Sequence, residues 1–149
     1  MPERFRLHVA VYLILTKGDT ILLLRRFNTG WGDGNYSLPS GHLDGKENVI
    51  DALIREAKEE TGIDIERKDV RVAHVMNRNS KEREYIDFYL TADRWTGTPT
   101  NMEPDKCDDL SWCQLAALPP NMMPFVRRAI HDSRNGIHFS EFGWDRSAD

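Results

Sequence analysis

The stretch "GHLDGKENVIDALIREAKEETGI", residues 41–63, decides the reading of this chain. Its second half is a helix by its local signals. Asn48 is a favoured N-cap residue, and Asp51, three positions on, suits the positive helix end. Ile50, Leu53, Ile54 and Ala57 recur at helical spacing and build one apolar stripe. Gly62 supplies the left-handed position that closes a helix, with Ile63 as the hydrophobic contact that accompanies it. The spacing predicts a helix over 49–61. At 100° per residue, Glu56, Glu59 and Glu60 share an arc of roughly 100°, while Lys58 points elsewhere. Three carboxylates this close repel one another, and a divalent cation would turn that repulsion into attraction. Oxygen ligands of this kind suit Mg²⁺ or Mn²⁺ rather than zinc. The competing reading is a solvated acidic helix face with no metal.

Outward from the helix, the chain alternates between β-rich and helical patterns. "LHVAVYLILT" (7–16) and "TILLLRR" (20–26) read as strands joined by a hairpin at "KGD". The Gly-rich "NTGWGDGN" (28–35) breaks regular structure, and "YSLPSG" (36–41) reads as a short strand that stops at Pro39. "VRVAHVMN" (70–77) and "EYIDFYLTA" (84–92) read as strands around a polar hairpin loop, "RNSKER". "LSWCQL" (110–115) is a further strand, "PPNMMPFVRRAIHDSRNG" (119–136) reads as a second helix that starts after the prolines and ends near Gly136, and the tail "IHFSEFGWD" has no clear period. This order predicts an α/β sandwich with a mixed sheet, in a single domain over residues 1–149.

Composition narrows the function. A net charge of -4 argues against a protein that coats nucleic acid polymers. Cys107 and Cys113, six apart, lack the paired spacing of a zinc site and read as reduced thiols. The N-terminal apolar run is too short to span a bilayer, so a cytoplasmic protein without membrane contact is expected. The apolar "EFGW" at 141–144 is expected to dock on the domain or on a second subunit, which would make a homodimer.

Gly41, five residues, Glu47, seven residues, Arg55-Glu56-Ala57-Lys58-Glu59-Glu60-Thr61-Gly62-Ile63: this register is similar at its fixed positions to the signature of the Nudix hydrolase family. Ala57 is smaller than the usual aliphatic residue there. The resemblance implies the Nudix-type α/β/α fold and a Mg²⁺- or Mn²⁺-dependent hydrolase of nucleoside diphosphates linked to a further group. It implies Glu56, Glu59, Glu60 and the Gly41 carbonyl as metal ligands, Arg55 as the residue that aims Glu56, and Glu47 as support. In the implied reaction water attacks phosphorus and a nearby carboxylate takes its proton; Glu56, Glu60 and Glu103 are the nominees. A Nudix-like module that binds nucleotide without turnover is the rival reading, although such modules generally lose box residues and none is lost here.

The substrate signal is thinner. "NMEPDKCDDLSWCQLAALPP" (101–120) resembles a segment of the nucleotide triphosphate diphosphatase branch of the family, which implies a nucleoside triphosphate as the small-molecule substrate and places Glu103 near the metals and Trp112 near the base. A core role for Trp112 is the alternative. Where ADP-ribose hydrolases share a proline and diadenosine-polyphosphate hydrolases a tyrosine, this chain has Asn77 to Lys81. Trp31 on the Gly-rich loop, His42 beside Gly41, and Arg25 of the Arg25-Arg26 pair are further candidates for substrate contact.

Overall fold

In the computed structural model, which describes residues 2–145, two sheets and two helices form a mixed α/β fold. The elements run β1 (His8–Ile14), β2 (Thr16–Lys17), β3 (Thr20–Arg26), β4 (Tyr36–Ser37), β5 (Ser40–His42), α1 (Val49–Thr61), β6 (Val70–Asn79), β7 (Glu84–Ala92), β8 (Cys107–Gln114), α2 (Pro124–Arg134) and β9 (Phe139–Phe142). One sheet has the order β5-β1-β7-β6-β9, with β1 parallel to β7, β6 parallel to β9, and the other pairs antiparallel. In the second sheet, β3 pairs antiparallel with β2, β4 and β8.

Strand β1 shows why the helices lie on opposite faces. Side chains alternate along a strand. Val11 and Leu13 join the apolar cluster with Ala52, Leu53 and Ala57 of α1. Ala10, Tyr12 and Ile14 join the other cluster, with Phe125, Val126, Ala129 and Ile130 of α2. The result is α1 on one face and α2 on the other, as in an α/β/α sandwich.

Helix α1 has the predicted bounds. The Asn48 side chain accepts from the Asp51 N–H at 2.9 Å, and Gly62, at φ 76°, closes the helix with its N–H on the Lys58 carbonyl. Elsewhere the elements differ from expectation. "YSLPSG" is two short strands, β4 and β5, interrupted at Leu38 and Pro39. Strand β6 runs on through Arg78 and Asn79, which the polar pattern assigned to a loop, because the Arg78 charge is paired across the sheet with Asp87 of β7. Strand β8 starts at Cys107, three residues early, and α2 starts at Pro124 and ends at Arg134, just before Gly136.

The tail holds a strand. β9 lies parallel to β6, Phe142 packs edge-on against Phe125, and the Trp144 indole N–H donates to the Asn77 carbonyl at 3.0 Å. The 141–144 stretch thus docks on its own chain. Cys107 and Cys113 are free thiols. Among the described residues no helix is long and apolar enough to cross a membrane.

Candidate active site

The 41–63 stretch closes on itself through Arg55. Its guanidinium donates to both Glu47 oxygens, at 3.1 Å from Nε and 2.7 Å from Nη2. Nη1 donates to Glu56 Oε1 at 2.9 Å and more loosely to Glu59 Oε2 at 3.3 Å. Arg55 thus binds Glu47 and Glu56 at once. The Arg55 side chain holds the Glu47 carboxyl below its ordinary value.

Glu56 and Glu60 face Gly41 from α1. A Cβ at Gly41 would stand 2.0 Å from Cδ and Oε1 of Glu56, so the carboxylate occupies the space a side chain would need. Glu60 Oε2 accepts the Ser40 N–H at 2.8 Å. Burial pushes the Glu60 carboxyl well above its ordinary value, against the Ser40 hydrogen bond, and the charges of Glu56 and Glu103 push it further. Burial likewise raises Glu56, with Arg55 opposing. Glu103 lies near enough to act on both, on a loop fixed by its own N–H donating to Asn101 Oδ1.

Glu59 stands apart. It is exposed and drawn towards Arg55. Among the described residues no three His, Cys, Asp or Glu side chains already converge as a metal cluster. The donor set nevertheless fits a hard cation in kind: clustered, partly desolvated carboxylates beside a glycine that leaves room for them. Glu56 and Glu60, with the adjacent Gly41 carbonyl, are the groups that could hold it.

Beside this cluster opens a cleft of about 510 Å³, within the usual range for small-molecule sites. Ser40, Gly41, His42 and Glu60 form one end; Tyr12, Arg26, Trp31, Arg78 and Tyr85 are also in its wall. Trp31 is 48% exposed and lies over the Arg26 guanidinium, 4.9 Å from Cζ to the ring centre. Its loop is held by Asp33, whose carboxylate accepts from the Thr29 and Gly30 N–H groups and the Thr29 hydroxyl. Those bonds, the Thr29 hydroxyl first, pull the Asp33 carboxyl below its ordinary value. His42 packs against Tyr85, and burial lowers its imidazole.

Two expected substrate residues lie elsewhere. Trp112 pairs across the sheet with Leu22, whose face carries the α1 cluster, and stacks on Trp95 with ring centres 6.2 Å apart. It is partly buried against the α1-side cluster and is not in the cleft wall. Arg25 donates to Asp108 at 2.7 Å and lies over Tyr36, outside the cleft wall. Its neighbour Arg26 lines the cleft instead. The sequence reading missed Tyr12, Arg78, Tyr85 and Asp87; a charged Arg and Asp within otherwise β-patterned segments were the available signal.

A family model described as the NUDIX domain matches residues 5–133. The chain belongs to the Nudix family. The "NAD-capped RNA hydrolase NudC" of Pseudomonas putida is 28% identical over 117 residues, 77% of this chain and 39% of that protein. The chain thus spans about two fifths of the length of that relative. The "Uncharacterized Nudix hydrolase YvcI" of Bacillus subtilis is 31% identical over 102 residues, 66% of this chain and 61% of that protein. The crystal structure of a MutT Nudix hydrolase from Burkholderia pseudomallei aligns with a TM-score of 0.77 at 27% identity, covering 85% of this chain and 98% of that one. All three of these relatives are named as hydrolases. Nudix enzymes generally use divalent cations and act on small nucleotides.

Proposed function

We propose that this Nudix hydrolase cleaves a small nucleotide, foremost a nucleoside triphosphate, to the monophosphate and pyrophosphate with Mg²⁺ or Mn²⁺. The observation that carries the reading is the cleft itself. It joins the Gly41–Glu60 end to a wall with the half-exposed Trp31 on Arg26. An aromatic face suits a base, and an arginine beside it suits an anion.

Glu56 and Glu60 would hold the cation, with the Gly41 carbonyl, while Arg55 and Glu47 keep Glu56 pointed inward. When bound, the cation screens the phosphate oxygens and makes water acidic enough to attack phosphorus. One of Glu56, Glu60 and Glu103 takes the proton of that water. Arg26 neutralises phosphate charge, His42 borders the phosphate end as a neutral imidazole, and Trp31 covers the base.

A substrate panel with Mg²⁺ tests this: canonical and oxidised nucleoside triphosphates, nucleoside diphosphates, nucleotide sugars and dinucleotides, with products identified. Monophosphate plus pyrophosphate from a triphosphate is the expected result. Turnover confined to another class, or orthophosphate as the product, overturns it. A dinucleotide is the second reading, favoured by the relatives named as NAD-capped RNA hydrolases and by a second groove that shares Glu82 and Arg83 with the cleft. NAD in the same panel decides between them.

A further inference from the structure

Arg78 is an unusual residue to find in this cleft wall. It is only 4% exposed, yet it lines the cleft. Each part of its guanidinium is accounted for except one. Nε donates to Asp87 Oδ2 at 2.6 Å and Nη2 to Oδ1 at 3.3 Å, so one edge is bound to a fully buried carboxylate. Both faces are covered: Cζ lies 4.1 Å from the Tyr85 ring centre and 4.0 Å from that of Phe125. The remaining nitrogen, Nη1, makes no hydrogen bond to the protein among the described residues. Nor is it among the buried side-chain polar atoms left without a partner, which there are Tyr89 Oη and Thr91 Oγ1. It therefore reaches the solvent of the cleft. A guanidinium held at one edge and on both faces, with one donor edge left over, can turn that edge only towards whatever fills the cleft.

Its place in the sheet says which part of a ligand it meets. Gly41 lies on β5 and Arg78 on β6, with β1 and β7 between them. Gly41 is level with Val75, three residues before Arg78, so three strand spacings of about 4.8 Å and that offset along the strand separate the two by roughly 17 Å. A nucleotide with its phosphates at the Gly41–Glu60 end would have its base towards Arg78. A guanidinium donates hydrogen bonds and accepts none, so it favours a ring carbonyl and disfavours an amino group in the same position.

We propose that Arg78 is a specificity-determining residue: fixed by Asp87, Tyr85 and Phe125, it donates from Nη1 to a carbonyl of the nucleobase, so that keto-bearing bases are preferred over amino-bearing ones. This inference rests on the nucleotide reading above. Asp87 is a positioning residue in this arrangement. Its carboxyl is pushed up by burial and down by the two Arg78 hydrogen bonds, and the paired geometry keeps the guanidinium in one orientation.

Inosine and adenosine 5′-monophosphates differ at one edge of the ring, a carbonyl beside an N–H in the first and an amine beside a bare ring nitrogen in the second, which makes them the probes. Titration calorimetry of the full chain with Mg²⁺ should show inosine monophosphate binding on the order of ten- to a hundredfold tighter. The kcat/KM ratio of inosine to adenosine triphosphate should follow. In Arg78→Lys the ammonium is spent on Asp87 and both ratios fall towards one. Because a lone Asp87 could unfold the chain, the paired variant Arg78→Met with Asp87→Asn removes both charges and should lose the preference equally. A wild-type protein that binds the two equally well, or a preference that survives in either folded variant, overturns the assignment of Arg78 and leaves the hydrolase reading standing. Binding of neither nucleotide, with no turnover of either triphosphate, sinks both.

Discussion

Glu60 carries a load that pH can weigh. Burial, aided by the charges of Glu56 and Glu103, raises its carboxyl well above the ordinary range. A group raised on folding binds its proton more tightly in the folded chain than in the unfolded one. Its contribution to stability is therefore complete below the unfolded value near ~4.3 and is lost as pH rises through the folded value. In chelator, the melting temperature should decline as pH rises above the unfolded value. Glu60→Gln should flatten that decline while reducing metal-dependent turnover by on the order of 10²-fold or more. Parallel melting curves for the two proteins would refute the assignment. Gly41→Ala is the companion test, because a Cβ there meets the Glu56 carboxylate at 2.0 Å. The variant should fold, require more Mg²⁺ for half-maximal rate, and turn over roughly 10–100 times more slowly, the scale of disturbing the groups that orient a ligand. An unchanged metal titration would show that Glu56 can move aside freely. Glu56 and Glu60 were legible as neighbours from helical spacing, and Gly41 joined them through the resemblance of the 41–63 register. Arg25 and Arg26 were not separable by sequence, since the β3–β8 register shifts between them and strand alternation cannot say which one turns inward. Trp112 stands outside the cleft wall because its face follows from the pairing with Leu22, which is a long-range fact.

At the scale of elements, the loop between β3 and β4 presents Trp31, and Asp33 is its fastener. Asp33→Asn removes the charge that two N–H groups and a hydroxyl share. KM for nucleotide should rise several-fold with kcat and melting temperature little changed, read by steady-state kinetics and calorimetry. A kcat loss with KM intact would place the loop in the chemical step instead. Helix α1 was readable to the residue because both of its caps are local: Asn48 and Gly62 act on atoms within four positions. Strand β9 was not, and the reason is visible in its burial. Phe139 is exposed, while Ser140 is buried with its hydroxyl 2.7 Å from His74 Nε2. The apolar and polar positions are reversed, so no period reports a strand. Only the parallel partner β6 makes one. The same holds for Arg78, whose place inside β6 depends on a carboxylate nine residues away across the hairpin.

Taken as a whole molecule, the chain divides labour across its five-stranded sheet. The Gly41–Glu60 end sits at the β5 edge, and Arg78 sits beyond two intervening strands. Residues that far apart, with no side chain bonded to both, usually contribute independently to free energy. Gly41→Ala and Arg78→Lys should therefore combine additively: in a double-mutant cycle on kcat/KM, the logarithmic losses of the single variants should sum to that of the pair within about 0.5 kcal/mol. A coupling well beyond that would mean the ends communicate through Tyr12 or His42. With independent ends, a sheet of this order can change the base it accepts by exchanging side chains on one hairpin while its hydrolytic machinery is left as it was, and a collection of variants at β6 and β7 alone would be the place to look for new selectivities.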